Sequence, residues 1–264
     1  MPLIDINDTQ LYYEVSGDGP QTLVFLNGIS MSTAAWSLQV AALKSRFRVL
    51  TYDLRGQLQS GKPDAAIYSM PQHAADLAAL LDKLSVASAH LAGLSYGGAV
   101  AQQFALDYPQ RVAQLLLVST MAWSDPVNEA IAAGWEAAAT TGNAALRFDI
   151  SLPLTFGAAY LTQQADKIPL MREFAARQSW PPLARLMAGI RAHDVRARLG
   201  QIQVPTLVLV VEDDRFTPLY HARLLANSIP GARLQVLPDC GHAMPLEQPA
   251  EFNRLLLDFF GASA

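Results

Sequence analysis

Two periodicities alternate along this chain, and that alternation leaves few folds open to it. Residues 11–16, 22–26, 47–51, 90–92, 114–119, 206–211 and 233–237 are short runs rich in β-branched, leucine and aromatic residues and read as strands. Between them, residues 34–43, 71–84, 97–108, 219–228 and 249–260 carry apolar residues at helical spacing. Pro71 sits at the first turn of one helix and Pro109 stops another. The run 206–211 is Thr-Leu-Val-Leu-Val-Val, without the polar alternation of a half-exposed strand, so it is expected to be buried on both faces. Strand–helix alternation of this kind predicts a mainly parallel sheet with helices on both faces. The first two runs, joined by Gly17-Asp18-Gly19-Pro20, are expected to form an antiparallel hairpin at the N-terminal edge.

The rhythm breaks between about Ser124 and Arg198. This stretch is rich in alanine, helical in pattern and interrupted by Pro126, Pro153, Pro169, Pro181 and Pro182, with no β-rich run. It reads as a helical lid inserted into the sheet-forming sequence, which divides the chain into a first core part (1–123), a lid (124–198) and a second core part (199–264). With 264 residues, 51 % of them hydrophobic, there is ample material for one large core.

Composition excludes several functions. A formal net charge of −4 with no basic stripe argues against nucleic-acid binding. The single cysteine, Cys240, excludes an internal disulfide and a multi-cysteine zinc site, and no metal or organic cofactor is implied. Residues 1–10 lack Lys, Arg and any long apolar run, so no signal peptide is expected. No stretch approaches the roughly 20 apolar residues of a membrane span. A soluble, cytoplasmic protein, monomeric or homodimeric, is the expectation.

The most specific motif is Gly93-Leu94-Ser95-Tyr96-Gly97, which matches G-x-S-x-G and lies between a predicted strand and a predicted helix. A sharp strand-to-helix turn strains the central residue and needs small neighbours, and it exposes the Ser95 hydroxyl beside a helix N-terminus. The plainer alternative is a glycine-rich packing turn. A dinucleotide loop would need glycine where Ser95 stands, and the Gly-Lys-Ser/Thr ending of a phosphate loop is missing.

A serine hydroxyl needs a base to take its proton, and imidazole titrates in the useful range. Of five histidines, His73, His90, His193 and His221 fall in helices, in a strand or at the end of the lid. Only His242 lies in a loop just after a late strand, within Asp239-Cys240-Gly241-His242-Ala243-Met244-Pro245. The orienting acid is open among Asp214, Asp213 and Asp125. The first two follow the strand 206–211 directly. For the two donors that a tetrahedral oxyanion requires, the N–H of Tyr96 supplies one. The loop Asn27-Gly28-Ile29-Ser30 supplies the other, through Ile29; Asn27 shapes this loop or is a simple turn residue.

With Asn27-Gly28, Asp53-Leu54-Arg55-Gly56, the Ser95 turn, the Asp214 loop and Gly241-His242 in this order, the chain resembles the α/β-hydrolase family over nearly its whole length. The resemblance implies the α/β-hydrolase fold with its mainly parallel eight-stranded sheet. It selects Asp214 as the acid, four residues before Pro218, and makes Ile29 and Tyr96 the oxyanion donors. Ala35-Trp36 and Glu247-Gln248-Pro249 are most similar to the 3-oxoadipate enol-lactonase and small carboxylesterase branch. Asn27-Gly28-Ile29 and Ala101-Gln102-Gln103-Phe104-Ala105 also resemble medium-chain polyhydroxyalkanoate depolymerases. The Leu-Ser-Tyr-Gly-Gly turn is compatible with the acyltransferase that builds hydroxyalkanoyloxy-alkanoates. Three positions depart from the family pattern. Asn27 replaces a usual His, Leu58 a common Gly, so that its loop is expected to turn differently, and Val211 a common Gly.

The function implied is hydrolysis of a small-molecule carboxylic ester, lactone or acyl thioester through an acyl-serine intermediate. Acyl transfer by the same chemistry is the alternative, and a non-catalytic receptor on the same fold a more distant one. Dehalogenase chemistry is disfavoured, since those relatives carry Asp at the position of Ser95. Asn27, Gly28, Trp123, Phe156 and Met244 are expected to touch substrate. Trp123, Trp135, Phe148, Phe156, Tyr160, Phe174 and Trp180 either line an apolar acyl pocket or pack the lid. The arginines 172, 177, 185, 191, 196 and 198 read mainly as a solvated face, the alternative being that they meet a carboxylate or a phosphopantetheine carrier.

Overall fold

The computed structural model describes residues 2–261. Its centre is an eight-stranded sheet of β1 (Leu3–Ile6), β2 (Thr9–Ser16), β3 (Thr22–Leu26), β4 (Arg48–Tyr52), β5 (Ala89–Leu94), β6 (Val112–Val118), β7 (Thr206–Val211) and β8 (Arg233–Leu237). The spatial order is β1-β2-β4-β3-β5-β6-β7-β8. All pairings from β4 to β8 are parallel, and only β1–β2 and β2–β4 are antiparallel.

The central strands read as continuous apolar runs because each feeds two cores with alternate side chains. Val24, Leu26, Leu91, Leu115, Leu117, Val208 and Val210 face one side, against α2 (Met70–Lys83) and α3 (Tyr96–Asp107), which contribute Leu77, Leu80, Leu81, Val100 and Phe104. Leu23, Phe25, Ala92, Leu116, Leu207 and Leu209 face the other side. There they meet Leu43 of α1 (Ser37–Leu43) and Phe252, Leu256 and Phe260 of α11 (Pro249–Gly261). The remaining core helix, α9 (Leu219–Ser228), buries Ala222 and Leu225 on the first side. The predicted helix over 34–43 divides into a 3₁₀ turn (Thr33–Trp36) and α1.

The N-terminal edge differs from the sequence expectation. The hairpin is formed by β1 and β2, not by β2 and β3, and β4 lies between the latter two. The two-residue loop Asn7-Asp8, with Asn7 at φ 50°, closes β1 onto β2 with Ile6 opposite Thr9. β1 escapes a pattern search because it is four residues long and buries only Ile6.

The connection from β6 to β7 is helical: α4 (Pro126–Thr140), α5 (Leu146–Thr155), α6 (Ala158–Gln163), α7 (Ile168–Ala176) and α8 (Trp180–Arg191). Asp125 starts it as a reciprocal capping box, its carboxylate accepting from Asn128 N while Asn128 Oδ1 accepts from Asp125 N, with Pro126 in the first turn. The chain leaves and returns through a narrow neck, where Trp123 pairs with Asp194 as an isolated antiparallel bridge and Val195 N donates to Ala122 O at 3.0 Å. A four-residue helix α10 (Met244–Glu247) precedes α11. No helix among the described residues is long and apolar enough to cross a membrane.

One ionic cluster fixes the loop after β4. Arg55 is fully buried, its Nε and Nη2 donating to the two oxygens of the buried Asp76 on α2 at 2.8 Å each, while Nη2 also reaches the exposed Asp8 at 2.7 Å. Removing one partner of such a pair leaves an uncompensated buried charge. Asp76→Ala is therefore expected to destabilise the protein by about 3–5 kcal/mol, read as a lowered denaturation midpoint in urea; a loss below about 1 kcal/mol would show that Asp8 alone satisfies Arg55.

Candidate active site

Ser95 sits between β5 and α3 with φ 53° and ψ −115°, a conformation L-residues avoid. Hydrogen bonds to its backbone hold it there. Its N–H donates to Val118 O at 2.9 Å, and its carbonyl accepts from Gly98 N at 2.9 Å and from Thr120 Oγ1 at 2.6 Å. The two glycines of the motif are steric necessities. A Cβ on Gly93 would strike the backbone of Gly97 and Gly98, and one on Gly97 would strike the carbonyls of Leu26 and Asn27.

Ser95 and His242 line the same cavity, of about 690 Å³ and mostly apolar walls. His242 follows β8 in the turn before α10 and is 7 % exposed. Its Nδ1 lies 2.9 and 3.0 Å from the two carboxylate oxygens of Asp214, which leaves Nε2 as the ring nitrogen free of this pair. Asp214 comes from the loop after β7 and is 4 % exposed. It also accepts from Phe216 N at 3.0 Å, Thr217 N at 2.8 Å and Thr217 Oγ1 at 3.0 Å. Burial alone would raise its carboxyl, but the His242 imidazole and the Thr217 donors outweigh that and hold it below the usual carboxylate range.

The other acids are engaged or exposed. Asp213 faces solvent. Asp125 caps α4, accepts a short hydrogen bond from Tyr220 Oη and lies 3.3 Å from His221 Nε2. The other four histidines are buried. Burial, with the Arg55 charge, pushes His73 down to about 3, and burial pushes His193 down to about 4 and lowers His90 and His221. His221, on α9, is fully buried against Trp123. The Cys240 thiol is pushed up to about 12 by burial and by the acids around it, which removes it as a nucleophile near neutral pH.

The Gly28 carbonyl accepts from Met31 N and from Gln57 Nε2, both at 3.2 Å. Because a trans peptide opposes its C=O and N–H, anchoring that carbonyl turns the Ile29 N–H the opposite way. Gly28, Ile29 and Tyr96 all line the cavity. The Tyr96 N–H belongs to the first turn of α3, where helix donors have no intrahelical acceptor.

Three residues expected at the substrate lie elsewhere. Asn27 is fully buried behind the loop, accepting from Trp36 Nε1 at 2.7 Å and donating to Asp53 Oδ1 and Met31 O at 3.4 Å each, so it braces the loop from below. Met244 packs in the core with Phe252 and Leu209. Trp123 stands at the neck, its ring tilted against His221 at 4.6 Å and covered by the Arg196 guanidinium at 4.9 Å. None of the three lines the cavity, whereas Phe156 does. Leu58, in place of a common glycine, takes φ 31°, so the loop keeps a left-handed residue there despite the side chain.

The cavity adds residues that motif reading did not find. Phe216, two residues after Asp214, packs its ring 5.1 Å from His242 and 5.9 Å from Trp135. Arg147 of α5 enters the cavity wall, a lone basic residue between Leu146 and Phe148 with no period to announce it. Glu247, half-buried near His242, accepts from Gly241 N at 2.9 Å and Gly157 N at 3.0 Å and so joins the His242 loop to the start of α6. Chemically, the arrangement offers a hydroxyl on a strained backbone, an imidazole oriented by a buried carboxylate, and two candidate backbone donors in a mostly apolar pocket.

A family model described as the alpha/beta hydrolase family matches residues 23–255. A protein of Variovorax paradoxus that goes by the name carbamate hydrolase RutD is 34 % identical, covering 94 % of this chain and 95 % of its own. Among solved structures, the alpha/beta hydrolase enzyme MGS-M2 from a deep-sea metagenome library of the Medee basin superposes with a TM-score of 0.93. It is 31 % identical, over 98 % of this chain and 97 % of its own. The enol-lactonase of Burkholderia xenovorans LB400 gives 0.91 at 31 % identity, over 98 % and 100 %.

The lowered Asp214 carboxyl fixes the sign of one pH effect. A group whose folded pKa lies below its unfolded value stabilises the fold above the unfolded value and loses that contribution as pH falls through the folded one. Urea midpoints between pH 7 and pH 3 are therefore expected to fall more steeply for the wild type than for Asp214→Asn; parallel slopes would mean that Asp214 titrates alike folded and unfolded.

Proposed function

The chain belongs to the alpha/beta hydrolase family, and from that premise we propose that it is a serine hydrolase acting on a carboxylic ester, lactone or acyl thioester through an acyl-serine intermediate. The observation that carries this reading is the single cavity shared by the strained Ser95 and by His242, whose imidazole is oriented by the buried Asp214.

In this mechanism His242 Nε2 takes the Ser95 proton as Oγ attacks the acyl carbon, while Asp214 holds Nδ1–H and stabilises the imidazolium. The N–H groups of Ile29 and Tyr96 receive the oxyanion, each such donor contributing about 3 kcal/mol. Collapse expels the alcohol or thiol, protonated by His242; in a lactone this group stays attached to the acyl chain. Water then attacks the acyl-serine carbon, His242 takes its proton, and the carboxylic acid leaves as Ser95 regains its hydroxyl. The helices α4 to α8 act as the lid, and Trp135, Phe148, Leu152 and Phe156 form the acyl wall. The carbamate hydrolase and enol-lactonase relatives support placing a carbamate and a lactone beside esters in the substrate panel, since all three present an acyl carbon to the same nucleophile.

The test is a chain-length series of p-nitrophenyl esters with simple lactones and a carbamate. Ser95→Ala and His242→Ala are each expected to lower kcat by about 10⁴-fold or more, and fluorophosphonate labelling to vanish with Ser95. Asp214→Asn is expected to impair turnover far more than Asp213→Asn. Retained turnover in Ser95→Ala would refute the acyl-serine reading, and the reverse order of the two aspartates would reassign the acid.

A further inference from the structure

One charge in the cavity takes no part in the chemistry above. Arg147, in the first turn of α5, lines the wall and is 9 % exposed. Two other arginines line it: Arg191 is paired with Glu129 at 2.7 Å and Glu136 at 2.9 Å, and Arg177 is solvent-exposed with Glu173 at 3.9 Å. Arg147 forms no ion pair among the described residues. Its contacts are Ser30 Oγ, 3.5 Å from Nη1, and the Trp135 ring, whose centroid lies 5.6 Å from Cζ. A hydroxyl at that distance and a ring face leave most of its five N–H donors without acceptors.

Fold stability does not account for a cation here. Burial disfavours its charge and lowers its pKa, yet a guanidinium stays protonated. The first turn of a helix is also the end at which a positive charge is least favourable. An uncompensated buried charge is costly, and a ligand that brings the opposite charge recovers part of that cost on binding. Trp135 stiffens the guanidinium from one face, which leaves its planar edges for a ligand.

We propose that Arg147 determines specificity in this cavity by binding a carboxylate of the substrate, an ester or lactone that carries a free carboxylate remote from the scissile carbonyl. A planar carboxylate matches one guanidinium in charge and in bidentate geometry. A phosphate dianion would call for a second buried cation, whereas Arg191 is already paired and Arg177 is solvent-exposed. Because Ser30 directly follows Ile29, the anion site lies beside the loop that carries the oxyanion donor. The inference rests on the acyl-serine reading for its substrate class, but the binding site itself can be tested apart from it.

The experiment compares monomethyl esters of α,ω-dicarboxylic acids with the dimethyl esters of equal length, on wild type, Arg147→Met and Arg147→Lys. The wild type is expected to prefer the monoester at one chain length. The monoester-to-diester ratio of kcat/KM is expected to fall roughly 10- to 100-fold in Arg147→Met and to recover partly in Arg147→Lys. Calorimetry of the monoester with Ser95→Ala, and with Ser95→Ala/Arg147→Met, reads the same site without turnover. If hydrolysis survives in Ser95→Ala, the acyl-serine reading fails while calorimetry still decides Arg147. A wild-type preference for the diester at every length would overturn the proposal, as would equal monoester binding with and without Arg147. A parallel loss of both activities at constant ratio would mark Arg147 as a packing residue, and tighter binding of an ω-phosphorylated ester would replace the carboxylate.

Discussion

The strained backbone at Ser95 is the constraint on which the site depends. A left-handed non-glycine residue of this kind costs on the order of 1–3 kcal/mol and persists only where its surroundings over-determine it. Here the surroundings are the middle of the sheet. β5 lies between β3 and β6, Ser95 N continues the parallel ladder onto Val118, and α3 packs so close to the sheet that Gly97 approaches the carbonyls of Leu26 and Asn27. The same strand order makes β3 and β5 the switch point of the sheet, because the chain moves outward to β4 on one side and to β6 on the other. Crevices at the carboxyl ends of such strands collect functional loops. Those after β3, β5, β7 and β8 therefore converge, bringing Ile29, Ser95, Asp214 and His242 to one edge.

Charge is handled differently around this edge and inside the cavity. Arg55 and Asp76 are buried and mutually neutralised. Asp53 is buried too, and its carboxyl is raised by desolvation although it accepts from Thr33 N and Gln59 N; it serves as a knot holding two loops together. Asp214 has more donors than its two oxygens strictly need, so its charge is cheap to keep and its position is fixed. Asp53 thereby organises backbone that carries no side chain into the cavity, which is why Asn27 and Asp53 matter without touching it.

The sheet was legible where burial is symmetrical. The runs 22–26, 206–211 and 233–237 coincide with β3, β7 and β8, since a strand between two helical layers, or one bounded by sharp turn residues, leaves a clean pattern. Pairing at the N-terminal edge was not legible, because β2 bonds to β4 across 30 or so residues of chain and local turn signals point to its sequence neighbour instead. The candidates Ser95 and His242 could be named from a residue and its loop context, and Asp214 only through the family resemblance. Side-chain direction could not. Met244, two residues after His242, and Trp123, just before the helical segment, do not line the cavity, whereas Phe216, two residues after Asp214, and Arg147, which no motif marks, do. Within the helical segment, alanine-rich sequence and scattered prolines indicate helices without fixing which faces turn inward.

This division has a physical consequence for how such a chain changes substrate. The core must keep its strand order, its glycines at 93 and 97 and its buried carboxylates, or Ser95 loses its geometry. The walls supplied by α4 to α8 meet the core through fewer constraints, so side chains there can vary while the fold holds, and fold alone does not name the substrate. The two parts are nevertheless not independent. Glu247 clasps Gly241 N and Gly157 N with one carboxylate, and Ala243 N donates to Thr155 O at 3.0 Å, so the residues on either side of His242 are fastened to the α5–α6 junction. A helical segment that shifted to admit a different acyl group would pull on the imidazole as well. Substrate range is therefore expected to be tuned by side chains such as those at 135, 147 and 156 on a helical frame that stays in place, because moving the frame itself would disturb the His242–Asp214 pair.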